Sequence, residues 1–121
     1  MLLRDGELGY DYVVVAAGAR HHYFGHEEWE AAAPGLKTIE DATEIRGKIL
    51  SAFEAAERET DVEKRRALLT FLLVGGGPTG VELAGTMGEI ANDTLREDFR
   101  TFRPEEARIV LLEAGPRILT A

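Results

Sequence analysis

Cysteine is absent from the 121 residues. That excludes a disulfide framework, a thiolate metal site and a dithiol redox pair within this chain. No apolar run approaches the roughly eighteen residues that a membrane-spanning helix requires. No basic run stands out either. Acidic residues outnumber basic ones 22 to 14, for a formal net charge of -8, which argues against a nucleic-acid partner and bears on solubility rather than fold. The first residues lack a signal-peptide pattern, consistent with an intracellular setting. Internal repeats and low-complexity segments are missing too. What remains is an ordinary globular composition, 45% hydrophobic, enough for one small domain or a piece of a larger one.

Patterning divides the chain into alternating elements. Residues 1–9 are polar, with Gly6 and Gly9, and read as a strand end and a turn. The β-branched run YDYVVVAAG (10–18) reads as a buried strand with a tight exit into small residues. A long loop follows, with one helical turn expected at 27–32. A helix is then expected, capped by Asp41 with Glu44 completing a capping-box-like pair. Ile45, Ile49, Ala52, Phe53 and Ala56 form its apolar face. Charges from Glu54 to Arg66 mark its solvated end and a linker. Residues 68–74 are apolar except Thr70 and suit a strand buried on both faces. A second helix is expected from Thr79, with Val81, Ala84, Met87, Ile90, Ala91, Leu95 and Phe99 on its inner stripe and Pro104 breaking the pattern. ARIVLLEAG (107–115) reads as another buried strand. The order strand, helix, strand, helix, strand predicts an α/β fold: a Rossmann-like βαβαβ unit, part of a doubly wound parallel sheet with right-handed crossovers.

The stretch LTFLLVGGGPTGVELAG (69–85) carries the chemistry. Gly75, Gly77 and Gly80 spell G-x-G-x-x-G directly after an expected strand and at the start of an expected helix, the context that gives the motif meaning. Gly75 permits the tight turn, Gly77 lets a pyrophosphate approach the backbone, and Gly80 lets the helix pack close to the strand. Pro78 and Thr79 suit the first helical turn. Its N–H groups and the helix dipole then face an anion. The next strand ends in Glu113, an acid placed to accept from the adenosine ribose hydroxyls and to repel a 2′-phosphate. Glu113 lies well beyond the usual spacing of about 20 residues, and Arg117 is the residue that would instead favour a 2′-phosphate. The expected nucleotide contacts are Gly75, Gly76, Gly77, Pro78, Thr79, Gly80, Glu113 and Ala114, with NAD(H) preferred to NADP(H). Glu82, read as lying in the first turn, either serves the helix dipole or reaches the nicotinamide end.

Other clusters carry less. His21, His22, His26, Glu27 and Glu28 match no metal-ligand spacing and read as a solvated loop. Tyr23, Phe24 and Trp29 read as loop anchors packed on the sheet. ERETDVEKRR (57–66) alternates acids and bases and reads as a solvated face.

The quoted stretches, with ARHHYFGHEEWEAAAPGLKTIEDATEIR (19–46) and VLLEAGPRIL (110–119), resemble type II (non-proton-pumping) NADH dehydrogenases. That family lies within the two-dinucleotide flavoproteins that also include disulfide and ferredoxin reductases. The resemblance implies that residues 1–18 are a crossing segment of an FAD-binding domain, 19–67 a connecting loop and helix, and 68–121 the first half of an NAD-binding Rossmann domain. Ala16, Ala17 and Gly18, with the adjoining Ala19, match the segment that lies against FAD, Ala17 standing where threonine is usual. It places Glu82 near nicotinamide and flavin as the catalytic candidate. The implied reaction is hydride transfer from NADH to FAD, then electrons to a quinone, by an enzyme peripheral to the cytoplasmic face of the membrane. It also implies that this chain is a piece of a longer enzyme, inactive alone, whose bare sheet edges invite pairing of two copies. A thioredoxin-reductase type would carry C-x-x-C shortly before the glycine loop, and none exists here. A disulfide reductase with upstream cysteines and a non-catalytic nucleotide-binding module stay open as alternatives.

Overall fold

The computed structural model describes residues 2–18 and 21–119. Leu2–Leu3 (β1) and Gly6–Glu7 (β2) form a minimal antiparallel hairpin. Residues 10–18, expected as a buried strand, form no regular element: Tyr12 is 95% and Val14 90% exposed. A β-branched run becomes a strand only against a partner ladder, and among the described residues none is offered to it. The described chain therefore holds one parallel β–α–β unit rather than the expected βαβαβ.

Helix α1 spans Ile39–Arg58. Its cap lies three residues earlier than the sequence suggests. Thr38 Oγ1 accepts from Asp41 N–H at 3.1 Å, and Asp41 Oδ2 accepts from Thr38 N–H and from Lys37 N–H, both at 2.9 Å. Asp41 is thus the returning acid of the box, not the cap, because a Thr–Asp pair at this spacing satisfies two orphan donors reciprocally. Ile49, Phe53 and Ala56 are buried on its inner face.

The charged stretch read as a linker contains a second helix, α2 (Val62–Leu68). Asp61 caps it, accepting from the N–H groups of Glu63 and Lys64. The Arg65 guanidinium donates to the carbonyls of Glu59 and Thr101. Polar anchors hold this helix where an apolar stripe is short.

Strand β3 (Thr70–Val74) pairs in parallel with β4 (Arg108–Leu112), Phe71 opposite Ile109 and Leu73 opposite Leu111. Between them runs α3 (Pro78–Glu89), continued by one π-helical turn, Ile90–Thr94. That turn brings Ala91 and Leu95 into the core beside Met87. Phe53 is 1% exposed and its ring meets those of Phe71, Phe99 and Phe102 at centroid distances of 5.5, 5.9 and 6.3 Å. The sheet is buried on one face only. Phe71, Leu73 and Ile109 pack on this core, while Leu72, Val74 and Leu112 are exposed. This corrects the expectation of a strand buried on both faces.

The loop before α1 contains the expected helical turn, at Glu27–Ala31. Its aromatics are not anchors on the sheet, however. Phe24 is 80% exposed, and Trp29 stacks on the His26 ring at 4.3 Å. Local ring pairing replaces core burial there. Among the described residues, no helix is long and apolar enough to cross a membrane.

Candidate functional site

The glycine loop joins β3 to α3. Gly75 N–H donates to Leu112 O at 2.8 Å, extending the ladder by one bond. Gly75 then turns the chain with φ +109°, a conformation that L side chains rarely adopt. A Cβ on Gly80 would stand 2.0 Å from the Gly75 carbonyl oxygen. Helix and strand meet here backbone to backbone, which only glycine permits.

Gly77 is the N-cap of α3 and Pro78 its first residue. Proline has no N–H to leave orphaned there. Gly77 supplies no side chain to cap the helix, so the N–H groups of its first turn receive no side-chain acceptor. Gly77, Pro78 and Thr79 are exposed, and nothing lies within 4 Å of where a Gly77 Cβ would be. The loop thus offers donors, a positive dipole end and room, the requirements of a phosphate.

Because α3 starts at Pro78, Glu82 falls in its second turn. The first turn holds no acid, which corrects the first-turn placement and removes most of the dipole benefit. The side chain of Glu82 is exposed.

Glu113 follows β4 directly. Its Oε2 accepts from Gly76 N–H at 2.6 Å and its Oε1 from Gly115 N–H at 2.8 Å. These amides, Gly115 first and Gly76 second, hold the carboxyl below the usual glutamate range. Ala114 is exposed on the same turn. Sequence reasoning missed Ile118 and Leu119. Leu119 N–H donates to Gly76 O at 2.7 Å, and Ile118 Cγ2 would lie 2.9 Å from a Cβ on Gly76. The apolar pair after Pro116 was the available signal.

The expected nucleotide residues Gly75–Gly80, Glu113 and Ala114 therefore converge at one end of the parallel pair. Ala16, Ala17 and Gly18 do not form a comparable site. They are exposed in an irregular segment, with Gly18 at φ +75°, and Ala19 lies outside the described residues. Hollows among the described residues lie elsewhere too: a polar one is bordered by Arg96, Arg100 and Arg103, and an apolar one lies between α1 and α3 around Ile45, Ile49 and Leu83.

Residues 3–121 match the family described as pyridine nucleotide-disulphide oxidoreductase. The chain is similar to the type II NADH:quinone oxidoreductase NdhA of Mycobacterium tuberculosis, 56% identical over 110 residues that cover 91% of this chain and 23% of that protein. It is similar to the type II NADH:quinone oxidoreductase Ndh of the same organism, 54% identical over 110 residues, covering 91% and 24%. It is also similar to the external NADH-ubiquinone oxidoreductase 2, mitochondrial, of Saccharomyces cerevisiae, 42% identical over 117 residues, covering 93% and 21%. The chain thus spans less than a quarter of the length of these relatives.

Proposed function

The chain belongs to the pyridine nucleotide-disulphide oxidoreductase family, and from that premise we propose that it is the NADH-binding segment of a flavin-dependent NADH:quinone oxidoreductase. The observation that carries this reading is the uncapped start of α3, facing open space beside Glu113. The names of the similar proteins supply the reaction.

In this reading residues 68–121 are the first half of a doubly wound NAD domain, 1–18 belong to an FAD domain, and 19–67 connect them. The N–H groups at Gly77, Thr79 and Gly80 take the pyrophosphate. Glu113 accepts from the ribose hydroxyls, and its ionised state disfavours a 2′-phosphate. Glu82, exposed one turn into α3, stands on the nicotinamide side. Ala16, Ala17, Gly18 and Ala19 present little but backbone, which suits close approach of FAD. The flavin, when bound, supplies the two-electron chemistry between dinucleotide and quinone. Quinone contact and attachment to the cytoplasmic face of a membrane are assigned outside these residues, and the bare edges of the β3–β4 pair are where two copies would pair.

Calorimetric titration with NADH, NADPH and FAD in turn tests the reading. Saturable NADH binding, tighter than NADPH and weakened by Glu113→Ala, supports it. NADPH preference would shift the specificity to Arg117, and saturable binding of none would contradict a nucleotide site on this chain.

A further inference from the structure

Glu113 is joined to the glycine loop before any nucleotide is present. Its two carboxylate oxygens reach amides in two different segments: Gly76, in the loop after β3, and Gly115, in the turn after β4. The Gly76 peptide unit on the other side is held as well, its carbonyl accepting from Leu119 N–H. Gly76 is buried. A buried amide without an acceptor is costly, and the carboxylate is the acceptor it has. At 2.6 Å the bond is short, in the direction expected of an ionised acceptor.

We infer that Glu113 is a positioning residue for the glycine loop, locking Gly76 and Gly115 into one hydrogen-bonded unit in the free chain. This deepens the dinucleotide reading and rests on it for its purpose. Each carboxylate oxygen carries two lone pairs. One on each is committed to an amide, and the other is left for a ribose hydroxyl. Ribose binding then adds to the clamp instead of dismantling it, and the pyrophosphate loop is already in shape when the nucleotide arrives. Loss of the carboxylate would accordingly disturb the loop at Gly76 with no nucleotide present, which a ribose contact alone does not predict.

The groups that face Glu113 are backbone amides of the glycine loop and of its own turn: Gly76, Gly115 and Ala114. Ile118 packs beside Gly76 from the far end of the turn. The same elements carry Arg117 on the turn and Glu82 on α3. Neither forms an ion pair with Glu113 among the described residues.

The test is amide NMR on the nucleotide-free 121-residue chain. At neutral pH, Glu113→Gln should speed hydrogen exchange at Gly76 or Gly115 by about tenfold, since a carboxamide has one acceptor oxygen and would present donors to the other amide. Exchange at Phe53, in the core, should stay unchanged and so report that the variant is folded. In the unaltered chain, the Gly76 and Gly115 amide protons should shift together as pH is lowered, with one common midpoint below the ordinary glutamate range. Separate midpoints, a midpoint in the ordinary range, or unchanged exchange at both glycines in a folded variant would overturn the clamp. NADH addition is read separately. A clamp that titrates as described in a chain that does not bind NADH would sink the nucleotide reading and leave the clamp standing.

Discussion

Gly80 lies so close to Gly75 that a Cβ on the former would stand 2.0 Å from the carbonyl oxygen of the latter. The neighbour is backbone, fixed by the β3–β4 ladder, so it cannot swing aside. Gly80→Ala should destabilise the chain by about 1–3 kcal/mol, as overpacking does, and urea denaturation checks it. Gly85→Ala, in the same helix with nothing within 4 Å of its Cβ position, should stabilise slightly or change nothing. Equal effects at both positions would mean that helix and strand do not meet at Gly80.

Aromatic burial predicts a second contrast. Phe53 is 1% exposed at the centre of three other phenylalanine rings. Phe53→Ala should cost about 3–5 kcal/mol. Phe24, 80% exposed, should tolerate the same change within about 0.5 kcal/mol. Similar losses in thermal or urea unfolding would place the core elsewhere.

The capping box makes a third prediction. Thr38→Ala removes the acceptor for Asp41 N–H and should cost about 1 kcal/mol. Glu44→Ala, at the position the sequence suggested for the box, should cost less, because its carboxylate pairs with exposed Lys48 instead. The two variants are compared by the midpoint of urea unfolding.

Acid should weaken the fold. Asp41, Glu57 and Glu113 are each held below the usual carboxylate range by backbone donors: Lys37 N–H first for Asp41, Thr101 N–H for Glu57, and Gly115 N–H for Glu113. A folded-state pKa below the unfolded one gives stability that is complete above the unfolded value and lost as pH falls through the folded one. Unfolded carboxylates titrate near about 4, so these three should leave stability flat from neutral pH to about 5 and lower it progressively below that. Glu57→Gln should shallow the acid limb. Stability that held or rose from pH 5 to 3 would contradict these hydrogen bonds.

Legibility followed locality. The glycine loop was readable because its geometry depends on a few adjacent residues: a positive φ at Gly75, proline at the helix start and a close contact at Gly80. The apolar stripe of α1 was readable for the same reason. Residues 10–18 were not, since a strand is made by its neighbours, and Tyr12, Val14 and Val15 stand exposed with no partner strand among the described residues. Helix α2 escaped because Asp61 and Arg65 hold it by polar contacts rather than apolar periodicity. The helix starts at Pro78 rather than Thr79, and that one-residue shift moves Glu82 out of the first turn. The bond between Glu113 and Gly76 joins residues far apart in the chain, and only the pairing of β3 with β4 brings it into view.

The most direct test is to map amide shifts on the 121-residue chain as NADH is added. The largest changes are expected at Gly77, Thr79 and Gly80, with smaller ones at Gly76, Glu113 and Ala114. Changes centred on the hollow around Arg96, Arg100 and Arg103, or none anywhere, would contradict a dinucleotide site at the start of α3.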